Sequence, residues 1–128
     1  MSIKLRKIQR KNPVNPDVVK WYFTQEKSGT VGMKDIANEI AKRSSMSVGD
    51  VQAVLTTLVD SMPLYLKLGQ TIKLEGFGSF RISVTSEGME TPEELGTHHV
   101  KGTKLLFQPS TNLKRDLTDI SFETIDDD

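Results

Sequence analysis

Along the longest uninterrupted stretch of the chain, apolar side chains recur with the period of a helix. Val48, Val51, Val54, Leu55, Leu58, Val59, Met62, Tyr65 and Leu66 fall on one side of a helical wheel. Gly49, Gln52, Thr56, Thr57, Asp60 and Lys67 fill the rest. At 100° per residue the apolar set spans about 140°, wider than the ~100° stripe that packs on a single surface. Ser47 is the expected N-cap, with Asp50 three residues on in a shortened capping box. Pro63 is expected to kink or restart the helix, and Gly69 to end it. A shorter helix is expected over 33–43, with Ile36, Ala37, Ile40 and Ala41 on one face.

Period-2 alternation marks the strands. Ile3 and Leu5 alternate with Lys4 and Arg6, and the pattern fails at Ile8, where a bulge or strand end is expected. The turn cluster Asn12-Pro13-Val14-Asn15-Pro16-Asp17 follows. Val19, Trp21 and Phe23 then alternate with Lys20, Tyr22 and Thr24. The two strands form an expected hairpin, with Trp21 and Phe23 inward and Tyr22 outward. Thr71–Leu74 is a short strand, Gly76-Phe77-Gly78 a turn, and Phe80–Thr85 a clear strand. Residues 86–103 lose all periodicity and read as a long, mobile loop or an extended arm. Lys104–Phe107 resumes as a strand. Pro109-Ser110 opens a last helix with Leu113, Leu117 and Ile120 inward. Ser121–Ile125 reads as a final strand, and Asp126–Asp128 as a frayed acidic tail.

Composition narrows the function classes. With 128 residues and no cysteine, the chain has no disulfide framework or thiolate metal site. It has neither a signal-peptide pattern nor a window of ~18 apolar residues, so a soluble cytoplasmic protein without membrane partners is expected. The formal net charge of zero hides an asymmetry: residues 1–81 hold 13 Lys/Arg against 7 Asp/Glu, and residues 82–128 hold 4 against 10. Lys4, Arg6, Lys7, Arg10 and Lys11 crowd the first eleven residues without an acid. Such a cluster steers polyanions.

No constellation supports catalysis, a cofactor or a small-molecule substrate. Gly76-Phe77-Gly78 lacks a third glycine and opens no helix, so it reads as a turn and not a phosphate loop. Ser79 sits in no nucleophile elbow. His98-His99 near Glu90, Glu93 and Glu94 has no further ligand at motif spacing, and on a strand the two rings would point opposite ways. Trp21, Tyr22 and Phe23 are candidates for base stacking, against which the alternation favours hairpin core.

Three stretches carry a resemblance over residues 34–117. They are Ile36–Ala41, the segment GQTIKLEGFGSF at Gly69–Phe80, and Phe107-Gln108-Pro109 followed by Leu113-Lys114. The chain resembles the bacterial histone-like DNA-bending family of HU and integration host factor, in a subfamily with an added N-terminal segment. That resemblance implies an α+β fold: two N-terminal helices, the second long, an antiparallel sheet with an arm, a short C-terminal helix, and an N-terminal β-hairpin. It implies a single domain over 1–128, divided into an N-terminal extension (1–32), a histone-like core (33–120) and a tail (121–128). It also implies a homodimer that interlocks long helices and binds double-stranded DNA in the nucleoid with weak sequence preference. The expected DNA-binding residues are Lys4, Arg6, Lys7, Arg10, Lys11, Lys73, Arg81, Lys101 and Lys104. Family arms are basic around a proline that wedges between base steps; here Pro92 has Glu90, Glu93 and Glu94 as neighbours. The alternative function is a histone-like fold turned to protein interaction, its acidic arm gripping a basic partner.

Overall fold

Alternating and helical patterns are both realised in the computed structural model, which describes residues 2–125. In chain order the elements are β1 (Ser2–Lys11), β2 (Val19–Gln25), α1 (Met33–Lys42), α2 (Val48–Lys67), β3 (Ile72–Leu74), β4 (Gly78–Ser86), β5 (Val100–Pro109), α3 (Thr111–Asp116) and β6 (Ser121–Thr124). They sort into two compact units. One holds the chain up to Thr30 together with the segment from Leu117 onward; the other is Val31–Asp116. The tail from Asp126 lies outside the described residues.

The second unit is built on α2. Its N-terminus is capped as the sequence requires: the Asp50 backbone N–H donates to Ser47 Oγ at 3.1 Å. Ser47→Ala is expected to lower stability by about 1 kcal/mol, read as a shift in the urea midpoint without a change in slope. Pro63 does not restart the helix, which runs unbroken to Lys67. The hydrogen bond it forfeits is offset by packing along the whole helix, the usual source of helical stability in a folded chain. Two narrow stripes divide the wide apolar face. Val51 is buried, and Leu55, Met62 and Leu66 are half-buried, turned to the body of the unit. Val54, Leu58 and Tyr65 form the neighbouring stripe and are exposed. In α1, Ala37 is fully buried and Ala41 half-buried, while Ile36 and Ile40 are exposed.

The sheet of this unit has the order β3-β4-β5, all antiparallel. Residues opposite one another project to the same face. One face therefore collects Ile72, Leu74, Phe80, Ile82, Val84, Leu105 and Phe107. Phe77, Phe80 and Phe107 form a ring cluster, with Phe107 centroids 5.1 Å from Phe77 and 4.8 Å from Phe80. Gly76 takes a left-handed φ of 79° in the turn before it, where the Phe77 backbone N–H donates to the Leu74 carbonyl. At Gly78 the demand is space: an added Cβ would sit 2.5 Å from the Gln108 carbonyl oxygen and 2.5 Å from the Phe107 ring. Gly78→Ala is expected to cost about 2 kcal/mol through overpacking, seen as a lowered thermal midpoint.

The stretch without periodicity is shorter than expected. β4 and β5 stay paired out to Ser86 and Val100, so only residues 87–99 connect them. The Glu87 backbone N–H donates to the His99 carbonyl at 2.9 Å, and two 3-10 turns, Pro92–Glu94 and Thr97–His99, fill the connection. β3 pairs only with the start of β4, so Lys101–Thr103 lie in a two-stranded ribbon. The ribbon's side chains are exposed on both faces, so it has no burial period to impose on its sequence. α3 also stops early, at Asp116. Leu117 and Ile120 are exposed and not inward, because the chain turns at 117–119 towards β6.

The first unit is a three-stranded sheet of order β2-β1-β6. β1 and β2 pair antiparallel without interruption from Leu5↔Gln25 to Lys11↔Val19, so no bulge or break occurs at Ile8. Ile8 lies on the opposite face from Ile3 and Leu5, across from Tyr22. β6 adds in parallel, Ser2↔Ser121 to Leu5↔Thr124. Trp21 and Phe23 do not form a hairpin core: they are 66% and 55% exposed.

Candidate nucleic-acid interface

The nine expected basic residues fall into separate groups. In the second unit, β3 and β4 place Lys73 opposite Ser79, and β4 and β5 place Arg81 opposite Leu106 and Ser83 opposite Lys104. Lys73, Arg81 and Lys104 therefore share one sheet face with Ser79, Ser83, Thr85 and Gln108. This is the face turned away from the phenylalanine cluster, and Leu106 is its one large apolar side chain. None of the strand residues in β3, β4 or β5 is acidic. Lys101 does not join them. It is the extra residue of a bulge, since Thr85 pairs with Gly102 and Ser86 with Val100.

A concavity of about 380 Å³ on this unit is lined by Lys73, Ser79, Gln108, Ser110 and Lys114, among others. Lys114 was not singled out from the sequence as a site residue. The signal available was its place one helical turn after Ser110, which puts it back beside the sheet end. The Leu113 backbone N–H donates to Ser110 Oγ at 3.1 Å and fixes this turn.

In the first unit the N-terminal cluster is divided by strand alternation. Lys4, Arg6 and Arg10 project to one face, and Lys7 and Lys11 to the other. On the first face part of the charge is answered within the sheet. Arg6 Nε donates to Glu26 Oε2 at 3.1 Å, with both side chains part-exposed. Lys4 stands opposite Glu123. The Arg10 guanidinium lies 5.8 Å from the Tyr22 ring centroid, within cation–π range. Arg10, Lys11, Lys20 and Tyr22 line a concavity of about 340 Å³ at the turn end of β1 and β2. Lys20 was not singled out from the sequence either; its register opposite Arg10 is a property of the pairing.

The Glu-rich connection presents no metal site. His98 and His99 lie in a 3-10 turn and not on a strand, so their rings meet, 4.0 Å apart. His99 Nδ1 accepts from the Gly96 backbone N–H at 2.9 Å. Among the described residues no group of three His, Cys, Asp or Glu side chains could hold a metal ion. No helix among them is long and apolar enough to cross a membrane.

A family model described as HU-HIG, an HU domain fused to a wHTH, Ig or glycine-rich motif, matches residues 1–124. The beta subunit of integration host factor from Marinobacter nauticus is 27% identical over 85 residues, 59% of this chain and 87% of the relative. The alpha subunit from Rhizorhabdus wittichii is 35% identical over 52 residues, 41% of this chain and about half (52%) of the relative. Among solved structures, the Anabaena HU of an HU–DNA cocrystal aligns with a TM-score of 0.55 at 17% identity, over 70% of this chain and 99% of that one. A described putative DNA-binding protein of Bacteroides vulgatus aligns with a TM-score of 0.66 at 8% identity, over 97% of this chain but only 48% of its own length. At such identities the structural likenesses speak for the fold alone.

Proposed function

Since the chain belongs to the HU-HIG family of HU domains, we propose that it is a histone-like protein that binds double-stranded DNA as a homodimer. The observation that carries this reading is the β3-β4-β5 face: Lys73, Arg81 and Lys104 together, hydroxyl side chains between them, and no strand carboxylate. Non-specific duplex binding is driven by counterion release from neutralised phosphates, so a carboxylate-free basic face is its main requirement. Serine and threonine hydroxyls add neutral contacts to phosphate oxygens. Lys73, Arg81 and Lys104 stand on strands among short polar side chains that meet phosphates, so sequence preference is weak.

The homodimer supplies what one copy lacks. Val54, Leu58 and Tyr65 on α2 are exposed, and in the described chain only Ala37 and Val51 are buried apolar residues. A second copy packed along that stripe buries it and doubles the basic face. The Glu-rich connection at 87–99 does not work as a basic clamp, because Glu87, Glu90, Glu93 and Glu94 repel phosphate. The family match and the relatives named integration host factor support the histone-like part of this reading. Fluorescence polarisation with labelled duplexes of unrelated sequence, at two salt concentrations, tests it. Similar affinities that weaken together as salt rises are expected. No duplex binding at low salt would favour the protein-interaction role instead.

A further inference from the structure

On their face of the β1–β2 pair, Trp21 and Phe23 are left largely uncovered by the described residues. Strand alternation and the observed register place Lys7, Gln9 and Lys11 on it, opposite Phe23, Trp21 and Val19 respectively. Both rings remain more than half exposed, Trp21 at 66% and Phe23 at 55%. We propose that this face binds single-stranded nucleic acid, with Trp21 and Phe23 as stacking platforms for unpaired bases. This site lies in the first unit and takes a different ligand from the duplex-binding sheet.

Three observations point to this occupant. Trp21 and Phe23 stand two residues apart on one strand, about 7 Å along it, which leaves each ring room for its own base. The face carries lysines but no acid among the residues of β1 and β2. Lys7 and Lys11 stand on either side of the Trp21 position along β1, opposite Phe23 and Val19, which puts an ammonium group at each end of the pair of rings for the phosphates that link stacked bases.

The chemistry separates this ligand from its competitors. In a duplex the flat faces of the bases are stacked on one another, so an aromatic sheet face meets only their edges; an unpaired strand exposes them. A second copy docked face to face would bring two Lys7 ammonium groups into one interface with no carboxylate to meet them, an arrangement that burial penalises. An apolar partner would leave the same lysine unanswered.

Trp21 is the single tryptophan of the chain, so its emission reports the site directly. Titrating the full-length protein with short oligo(dT) is expected to quench that emission to a plateau. With labelled oligo(dT) in polarisation, Trp21→Leu is expected to weaken binding about tenfold while duplex affinity stays at the parental value. Trp21→Phe, which keeps a ring, retains most of the affinity. Lys7→Gln flattens the single-strand salt slope by about 0.7. Unquenched emission at saturating oligo(dT), or parental affinity in Trp21→Leu, overturns the proposal. Emission that instead changes with protein concentration alone, together with a sedimentation shift abolished by Trp21→Leu, assigns the face to self-association and also overturns it.

Discussion

Replacing Lys73, Arg81 and Lys104 together by Ala is expected to lower affinity for any duplex DNA by about a hundredfold at low salt. The figure follows from exposed ionic contacts at about 0.5 kcal/mol each. Six such contacts in a dimer amount to about 3 kcal/mol, or two orders of magnitude. The log–log salt slope should become shallower by about 5, at roughly 0.9 per phosphate released. The loss should be alike on all sequences, because these side chains meet phosphates and not base edges. The matched control is Lys4→Ala, Arg6→Ala and Lys7→Ala together. Lys4 faces Glu123 and Arg6 is bound to Glu26, so this triple is expected to cost less than about threefold. Polarisation titrations across a salt series read both variants. Parental affinity and slope in the sheet variant, with the loss in the N-terminal one, would move the interface to the first unit.

Leu58→Ala is expected to lower the stability of the dimer by about 4 kcal/mol. The estimate takes the lower end of the buried Leu→Ala range, about 2 kcal/mol, once for each protomer. Leu58 is 39% exposed in the single chain; if it stayed so, a truncation there would cost well under half of this figure. The size of the effect therefore reports burial against a second copy. The apparent melting temperature should also rise with protein concentration, as linked folding and association require. Concentration-independent melting with an unaltered midpoint in Leu58→Ala would remove this stripe from any dimer interface.

How far the chain could be read varied with what each residue packs against. α2 was legible because a 20-residue helix covered along one side leaves a long periodic record. Its excess width was legible too, and the structure resolves it into an inward stripe at Val51 and Leu55 and an uncovered one at Val54 and Leu58. The turn at Gly76 and the strand from Phe80 were marked by residues with few alternatives. The two-sided exposure of β1 and β2 was not legible. Period-2 alternation says which side chains share a face, but not which face is covered, so it does not reveal that Trp21 and Phe23 lie exposed.

Non-local pairing was hidden for a different reason. β6 joins β1 in parallel across more than a hundred residues, and no local signal names a partner at that distance. Pairing also divided the N-terminal bases. Five positive residues in eleven look like one patch in the sequence, yet the strand sends Lys4, Arg6 and Arg10 one way and Lys7 and Lys11 the other. Lys73, Arg81 and Lys104 are far apart in sequence and are brought together only by the register of β3, β4 and β5. Lys101, equally basic and three residues from Lys104, is set apart from them by one bulge.

Analytical ultracentrifugation of the full-length chain, alone and with a short labelled duplex at low salt, tests the central claim most directly. The account predicts a species of twice the 14.3 kDa chain mass at micromolar concentration, and a duplex that sediments with two chains bound. A species of single-chain mass, with the duplex sedimenting as though no protein were present, would contradict it.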